Sequence, residues 1–198
     1  MNLNSESSTI VNIPLSELHG NTLDITQKAT PRRLRMIDCH AYVHEQVLRI
    51  CQFNESGPTS YSAISYIWKG NGPITSSEPP PHQFRVKGAE DGDPVSIPVL
   101  GYACLISLHH ALPYIWFDRA CIMQTNKEDK NWQIKHMFEL YKNAAVCVVL
   151  PGGMERLVPM DEETVWMHRG WTLQEALVPA STVVAFAWDR GGGVLHNR

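Results

Sequence analysis

The stretch Val146-Cys-Val-Val-Leu150 decides the fold class of this chain, because it is apolar without interruption and ends at Pro151-Gly-Gly153. A strand with only apolar residues is buried on both faces, as the strands of parallel sheets are. A second, largely apolar run, Tyr61-Ser-Ala-Ile-Ser-Tyr-Ile-Trp68, ends at Gly70. Burial on two faces requires helices on both sides of the sheet, so the sequence predicts an α/β protein.

Helical patterns alternate with these apolar runs. Residues 100–112 and 126–145 carry apolar side chains at helical spacing, and residues 161–177 are interpreted as a third helix. Further strands are predicted at 114–117 and 182–188. Right-handed crossovers between such elements give a three-layer sandwich with a mainly parallel sheet.

Length and composition narrow the class of protein. The 198 residues include 17 basic and 20 acidic side chains, for a net charge of −3, and 43% are hydrophobic. Nucleic acid binding is disfavoured because the basic residues cluster only at Arg32, Arg33 and Arg35. No apolar run approaches the roughly 20 residues that span a bilayer, and no secretory signal begins the chain. We therefore expect a cytoplasmic protein whose five cysteines are reduced, buried thiols.

The expected organisation is a single domain with two short flanks. Residues 1–30 are polar and are predicted to be a loosely ordered lead-in. Residues 31–190 form the α/β domain, which begins with an N-terminal β-hairpin extension, and residues 191–198 are a Gly-rich tail. In the helix predicted at 126–145, the spacing places Ile134 and Phe138 on the buried face.

The topology also indicates where a ligand would bind. In open α/β sheets ligands bind beyond the C-terminal ends of the strands, which here are the segments 68–70 and 118–124. In the third predicted helix, Trp171 and Glu175 lie on one line together with Thr164 and His168. Spacing alone leaves two interpretations open: Glu175 is a solvated surface residue beside a core tryptophan, or the tryptophan lies over a functional carboxylate.

Three segments resemble, in order and spacing, the signature motifs of the fungal heterokaryon incompatibility (HET) domain. They are Tyr61-Ser-Ala-Ile-Ser-Tyr-Ile-Trp68, then Trp116-Phe-Asp-Arg-Ala-Cys-Ile-Met-Gln124 with Met137 and Tyr141 in the following helix, and Arg169-Gly-Trp-Thr-Leu-Gln-Glu175. The resemblance covers about residues 31–180. Three positions depart from the family pattern: Lys69 is inserted between Trp68 and Gly70, Arg119 replaces a small or apolar residue, and Met123 replaces an asparagine.

The resemblance implies a role in non-self recognition and programmed cell death. The HET domain is distantly similar to TIR domains, which have a flavodoxin-like fold and in some cases cleave NAD at the nicotinamide-ribose bond. Those enzymes use a glutamate four residues after a tryptophan, the relation between Trp171 and Glu175 here. By this analogy Glu175 is the catalytic residue. The substrate-binding residues are Trp68, Lys69, Gly70, Asp118, Arg119, Gln124, Arg169 and Trp171.

The same resemblance leaves two kinds of partner open. In the first, NAD is the substrate and the protein needs no cofactor or metal; backbone amides near Lys69 and Gly70 would then meet its pyrophosphate, and Arg169 would bind a phosphate or form a structural ion pair with Asp118. In the second, the domain is a non-enzymatic signalling module that self-associates or recruits a protein partner.

Other chemistries are disfavoured. The spacing of Cys39, His40, His44 and Cys51 matches no common zinc site. A Cys121 nucleophile would need a histidine that the sequence cannot place beside it. The chain has no P-loop and no dinucleotide-binding glycine fingerprint.

Overall fold

An eight-stranded sheet organises the molecule. The computed structural model describes residues 7–54, 57–71, 82–168, 170–187 and 193–196, with the backbone alone for Trp171, Leu173, Gln174 and residues 193–196. In chain order the strands of this described part are β1 (Ser7–Pro14), β2 (Thr22–Leu23), β3 (Leu34–Asp38), β4 (Val47–Phe53), β5 (Ser62–Tyr66), β6 (Gln83–Val86), β7 (Val95–Ser96), β8 (Tyr114–Trp116), β9 (Val146–Leu150), β10 (Thr182–Phe186) and β11 (Gly193–His196).

The helices follow the predicted alternation with the central strands. They are α1 (Leu15–Leu18), α2 (Ile97–His109), α3 (Asp118–Cys121), α4 (Lys127–Asn143) and α5 (Gly170–Leu177), with a π-helical turn at Ala41–Glu45 and a 3₁₀ turn at Trp166–His168. The Asn126 side chain caps α4 by accepting a 2.9 Å hydrogen bond from the Asp129 amide. Within the described residues, no helix has the length and apolar character needed to cross a membrane.

The large sheet is mixed, so the expectation of a mainly parallel sheet is wrong. Its strand order is β1-β4-β3-β8-β5-β9-β10-β11, and β2, β6 and β7 form a separate small sheet. Among its described pairings, three are parallel and four are antiparallel. The link between β3 and β4 is too short for a parallel crossover. The predicted N-terminal hairpin therefore exists, but it extends the main sheet beside β8.

Both flanks of the predicted domain also contribute strands. The segment expected to be a loose lead-in provides β1, which pairs with β4 along Ser7–Pro14, and buries Val11, Leu18 and Leu23. At the other end, β11 pairs antiparallel with β10 inside the expected Gly-rich tail. The β1 pairing joins residues about 40 positions apart in the sequence, and β11 lies at an edge of the sheet.

The parallel part of the sheet has the order β8-β5-β9-β10. In chain order these are the second, first, third and fourth parallel strands, so the winding direction reverses between β5 and β9. Ser62 in β5 bonds Ser107 of α2, whereas Ser65 bonds Glu175 of α5. Residues three apart on a strand point to opposite faces, so α2 and α5 cover opposite sides of β5.

The helix α4 packs through a partly polar face, which corrects the prediction for its apolar residues. Asp129, Gln133 and Tyr141 are buried, whereas Ile134 and Phe138 are 48% and 50% exposed. Two of these residues bond to the sheet side of the molecule: Asp129 pairs with the buried Arg35, and the Gln133 side-chain N–H donates a 2.8 Å hydrogen bond to the Arg33 carbonyl. A pattern based on apolar residues alone could not identify this face.

The third predicted helix is shorter than expected. Among the described residues between 161 and 177, only the 3₁₀ turn and α5 are helical, so Thr164 does not continue the line to Glu175. The preceding loop is held by side chains, since Arg156 donates to Glu162 and the Asn71 amide donates a 2.5 Å hydrogen bond to the same carboxylate. These contacts stabilise the loop in place of a first helical turn.

Candidate functional site

Two side-chain clusters begin at the end of β5. Ser65 and Tyr66 are consecutive in the strand, and their side chains point to opposite faces. Ser65 leads to the Glu175 cluster, which we define as Ser65, Trp166 and Glu175. Tyr66 leads to the Arg119 cluster, which consists of Tyr66, Trp68, Gly70, Asp93, Asp118 and Arg119.

The two hydrogen bonds of the Glu175 cluster have a defined direction. The Trp166 indole N–H donates a 3.0 Å hydrogen bond to Ser65 Oγ, and Ser65 Oγ donates a 2.6 Å hydrogen bond to Glu175 Oε2. An indole N–H can only donate, so the Ser65 oxygen accepts there and directs its own proton to the carboxylate. One oxygen of the partly buried Glu175 side chain is therefore held as an acceptor on the face of the sheet that α5 covers.

Two neighbours of Glu175, Tyr141 and Cys147, are buried side chains. The buried Tyr141 hydroxyl donates a 2.8 Å hydrogen bond to the Ile64 carbonyl. Burial raises the pKa of Tyr141 well above its ordinary value, and the charge of Glu175 raises it further. Burial followed by the same carboxylate also raises the pKa of Cys147. A partly buried carboxylate beside such buried groups can stabilise positive charge that develops on a bound molecule.

The Arg119 cluster surrounds a buried cation. Arg119 is 1% exposed, and its guanidinium donates to the carbonyls of Trp68, at 2.9 Å, and of Asp93. The same group lies over the Trp68 ring, 4.4 Å from its centroid, and over the Tyr66 ring at 5.2 Å. Arg119 thus links the end of β5 to the segment before β7.

Asp118 is bound from two sides. The Tyr66 hydroxyl donates a 2.7 Å hydrogen bond to Asp118 Oδ1, and the Arg119 amide donates to the same oxygen at 2.5 Å. Burial, and next the Asp118 charge, raises the pKa of Tyr66 well above its ordinary value. The Gln124 side-chain amide donates to the Asp118 carbonyl at 3.0 Å. These bonds fix the start of α3 against β5.

Gly70 lies where the loops after β5 and β9 meet. A Cβ atom on Gly70 would be 1.9 Å from the Gly152 carbonyl oxygen, so only glycine permits this backbone contact. The Gly70 amide donates a 2.5 Å hydrogen bond to Asp93 Oδ2. The backbones of the two loops are therefore in close contact near the point at which the winding reverses, and Lys69 beside this contact is exposed.

The structure brings together five of the residues expected at the site: Trp68, Gly70, Asp118, Arg119 and Gln124. Glu175 lies in the separate cluster across β5, and Tyr141, whose pKa is raised by Glu175 and by Asp118, lies near both. The predicted residue Arg169 and the side chain of Trp171 lie outside the described residues.

Four residues of these clusters were not among the predicted site residues: Ser65, Tyr66, Trp166 and Asp93. Ser65 carried a usable signal, because a hydroxyl inside a buried apolar strand needs a partner. Trp166 and Asp93 carried none, since their contacts join segments 101 and 23 residues apart.

The structure also bears on the disfavoured chemistries. Burial raises the pKa of the Cys121 thiol to about 12, which makes it a poor nucleophile. Within the described part of the chain, no group of three or more His, Cys, Asp or Glu side chains is arranged to hold a metal ion.

Fold and clusters together define an α/β domain with a hydroxyl-bound carboxylate beside the reversal point of its parallel strands. The family model of the heterokaryon incompatibility protein (HET) matches residues 61–161, about half of the chain. The chain therefore belongs to the HET family, as its three motifs predict.

Two curated relatives support the same assignment. The chain is 27% identical to vegetative incompatibility protein HET-E-1 of Podospora anserina over 136 residues, which cover 61% of this chain and 9% of the relative. It is 29% identical to heterokaryon incompatibility protein 6, OR allele, of Neurospora crassa over 134 residues, 60% of this chain and 18% of the relative. The match thus spans less than a fifth of either relative. No solved structure matches the chain.

Proposed function

We propose that this domain acts in the cytoplasm in heterokaryon incompatibility and triggers programmed cell death by cleaving NAD at the nicotinamide-ribose bond. The names of the two relatives support the biological role. The observation that carries the chemistry is the Glu175 carboxylate, to which the Ser65 hydroxyl donates a 2.6 Å hydrogen bond beside the buried side chains of Tyr141 and Cys147.

The proposed reaction needs few groups. The bond between ribose C1′ and the nicotinamide nitrogen breaks, and its electron pair neutralises the pyridinium, so the leaving group needs no acid. Water forms the new bond to C1′ and loses a proton, which gives nicotinamide, ADP-ribose and H⁺. The ribose passes through an oxocarbenium-like state, and Glu175 stabilises its positive charge.

The strand order supports this proposal. The parallel strands follow the order second, first, third, fourth, which is that of flavodoxin-like sheets, whose ligands bind at the reversal point. By analogy with TIR domains, Trp171 borders the nicotinamide riboside, Arg169 binds phosphate, and the Arg119 cluster with Lys69 and Gln124 forms the rest of the substrate site. This part of the proposal rests on likeness of fold.

The test is nicotinamide release from NAD by the purified protein. We expect turnover by the native chain and none by Glu175→Gln, which keeps the shape of the side chain and removes its charge. Glu163→Gln is the matched control, because Glu163 is an exposed glutamate in the preceding loop. Absence of turnover at high protein concentration, or equal turnover by Glu175→Gln, would refute NAD cleavage at this site.

A second candidate function is a non-enzymatic module that binds its own copy or a protein partner. It is favoured by three exposed apolar residues in the segment between β9 and α5: Met160, Val165 and Met167, the last 69% exposed. Cell death that persists in Glu175→Gln but is lost in Met167→Glu would support this function over the enzyme.

A further inference from the structure

The segment before β7 covers a group of hydrogen-bond donors in the Arg119 cluster. We propose that these donors form a binding site for a phosphate group and that the Asp93 carboxylate occupies this site within the free chain. The inference deepens the proposed function and rests on it for the ligand's identity, since the phosphates of NAD are the expected occupants. It adds a means of self-inhibition, because a ligand must displace Asp93 before it binds.

The first observation is that the Asp93 carboxylate already accepts a hydrogen bond from a backbone amide. Asp93 Oδ2 accepts a 2.5 Å hydrogen bond from the Gly70 amide, just beyond the C-terminal end of β5. Ligands of open α/β sheets bind beyond the C-terminal ends of the parallel strands, and a backbone amide there can donate to an anionic group. Asp93 therefore supplies, from within the chain, the negative charge that such a position accepts.

The second observation is that nearby donors are not used. Among the described residues, Arg119 Nε and Trp68 Nε1 are buried and have no hydrogen-bond partner. Buried donors without partners are rare and costly. The Asp93 carboxylate engages the Gly70 amide but leaves these two N–H groups unsatisfied. A phosphate carries more oxygen atoms than a carboxylate and can satisfy more donors at once.

The third observation is that the donors lie close together beneath Gly92. A Cβ atom on Gly92 would be 2.6 Å from Arg119 Nη2 and 2.9 Å from Trp68 Nε1. Both groups thus lie within 3 Å of one point, over which the backbone of residues 92–93 passes. The Asp93 amide also donates a 3.2 Å hydrogen bond to the Trp68 carbonyl. Movement of this short segment would expose the indole and guanidinium donors together.

The charge of the molecule favours a ligand that replaces the Asp93 carboxylate over a ligand that binds beside it. The net charge of −3 gives an anionic ligand no general attraction, so local donors must bind it. While Asp93 is in place, its carboxylate occupies the Gly70 amide and its charge repels an incoming anion. Removal of Asp93 should leave the cation and the free Gly70 amide for an incoming anion.

The test measures binding of inorganic pyrophosphate by isothermal titration calorimetry, without any turnover. We expect Asp93→Ala to tighten binding by about tenfold, the gain expected from one charge-assisted hydrogen bond. Asp91→Ala is the matched control, because it removes the same charge from an exposed position two residues away. Its affinity should stay within about twofold of the native chain.

Two further variants keep the proposal falsifiable if Asp93→Ala folds poorly. Asp93→Asn preserves the shape of the side chain, and Gly92→Ala displaces the segment by its steric clash without any change of charge. Both should tighten pyrophosphate binding. Unchanged affinity in the folded Asp93 variants, or an equal gain in Asp91→Ala, would overturn the proposal.

Titrations with NAD, ADP and pyrophosphate distinguish a nucleotide ligand from free phosphate. Together with turnover, they also distinguish the failure of the anion site from the failure of NAD cleavage. Stronger binding of NAD and ADP than of pyrophosphate would identify a nucleotide ligand, whereas the reverse order would identify free phosphate and refute NAD as the occupant. If Asp93→Ala binds pyrophosphate but releases no nicotinamide, the anion site stands and NAD cleavage fails. If NAD is cleaved at the same rate whatever residue 93 is, the enzyme stands and self-inhibition fails.

Discussion

Two buried arginines, Arg35 and Arg119, have different surroundings and, we infer, different roles. Arg35 is fully buried in β3, where it forms an ion pair with the equally buried Asp129. Its remaining N–H groups donate to the Cys121 carbonyl at 2.7 Å and to the Thr30 carbonyl at 2.8 Å. Every part of this guanidinium has a partner, so it joins β3, α3 and α4 into one unit.

Arg119 lacks such a complete set of partners. It donates to two carbonyls and lies over two aromatic rings, but within the described residues it forms no ion pair and its Nε has no partner. A buried cation in this state is costly unless a ligand completes its surroundings. The comparison indicates that Arg35 stabilises the fold, whereas the incomplete set of partners of Arg119 indicates a role in ligand binding.

The largest expected effect comes from breaking the Arg35 pair. Asp129→Asn leaves the Arg35 charge buried without its counter-ion, and weakens the 3.0 Å bond from the Met123 amide. We expect the free energy of unfolding to fall by about 3–5 kcal/mol. Urea denaturation measures this loss.

The control for this variant is the neighbouring Glu128→Gln. Glu128 pairs with Arg32 at 2.9 Å, but both side chains are more than half exposed. Its loss should cost less than about 1 kcal/mol. A cost of that small size for Asp129→Asn would remove the basis of the comparison.

The next effect tests Arg119 directly. Arg119→Met keeps an unbranched apolar side chain, but it leaves the carbonyls of Trp68 and Asp93 without their guanidinium donors. We expect a loss of about 1–3 kcal/mol in unfolding free energy, smaller than the loss for Asp129→Asn. Pyrophosphate binding by Asp93→Ala should also be lost when Arg119→Met is added. Retained binding in that double variant would show that Arg119 has no role in the anion site.

A smaller change in stability, with a specific change in activity, is expected for Ser65→Ala. The variant removes the hydroxyl between Trp166 and Glu175 and should cost about 1 kcal/mol in unfolding free energy. Nicotinamide release should fall by about tenfold, since Glu175 loses its orienting hydrogen bond.

Ser62→Ala is the matched control, because it removes the 2.5 Å hydrogen bond to Ser107 on the opposite face of the same strand. It should lower stability by a similar amount and leave turnover unchanged. Equal loss of turnover in both variants would mean that Ser65 acts on stability alone.

The smallest effect concerns Cys121, whose carbonyl binds Arg35. Burial raises the pKa of its thiol to about 12, from about 8.5 in an unfolded chain. The native state therefore favours the neutral thiol, and the stability gained is complete below about pH 8.5 and is lost as the pH rises toward 12. At about pH 9, iodoacetamide should label Cys121 in concentrated urea but not in the native protein, as mass spectrometry would show. Rapid native labelling would reopen its role as a nucleophile.

The sequence predicted the centre of the fold better than its edges. β5 and β9 are buried on both faces, so their residues had to be largely apolar and were recognisable. β1 is polar at its outer end and is a strand because it pairs with β4, about 40 residues away. The inward face of α4 was missed for a related reason, since Asp129 is satisfied by Arg35 across 94 residues.

The site was predictable to the extent that motifs mark it. The three motifs contain Trp68, Asp118, Arg119 and Glu175, which were therefore predicted as site residues. The predicted family membership is confirmed. Asp93 belongs to no motif, and its contact with Gly70 depends on how the segment before β7 folds back over β5. No local pattern encodes such a contact, so the covered donors could be found only in three dimensions.

The most direct test of this account is the rate of nicotinamide release by Asp93→Ala, measured beside the double variant Asp93→Ala/Glu175→Gln. The account predicts that Asp93→Ala releases nicotinamide faster than the native chain, because the anion site is open, and that the double variant releases none. Equal release by the single and double variants would contradict it, because Glu175 would then have no part in the reaction that the displacement of Asp93 permits.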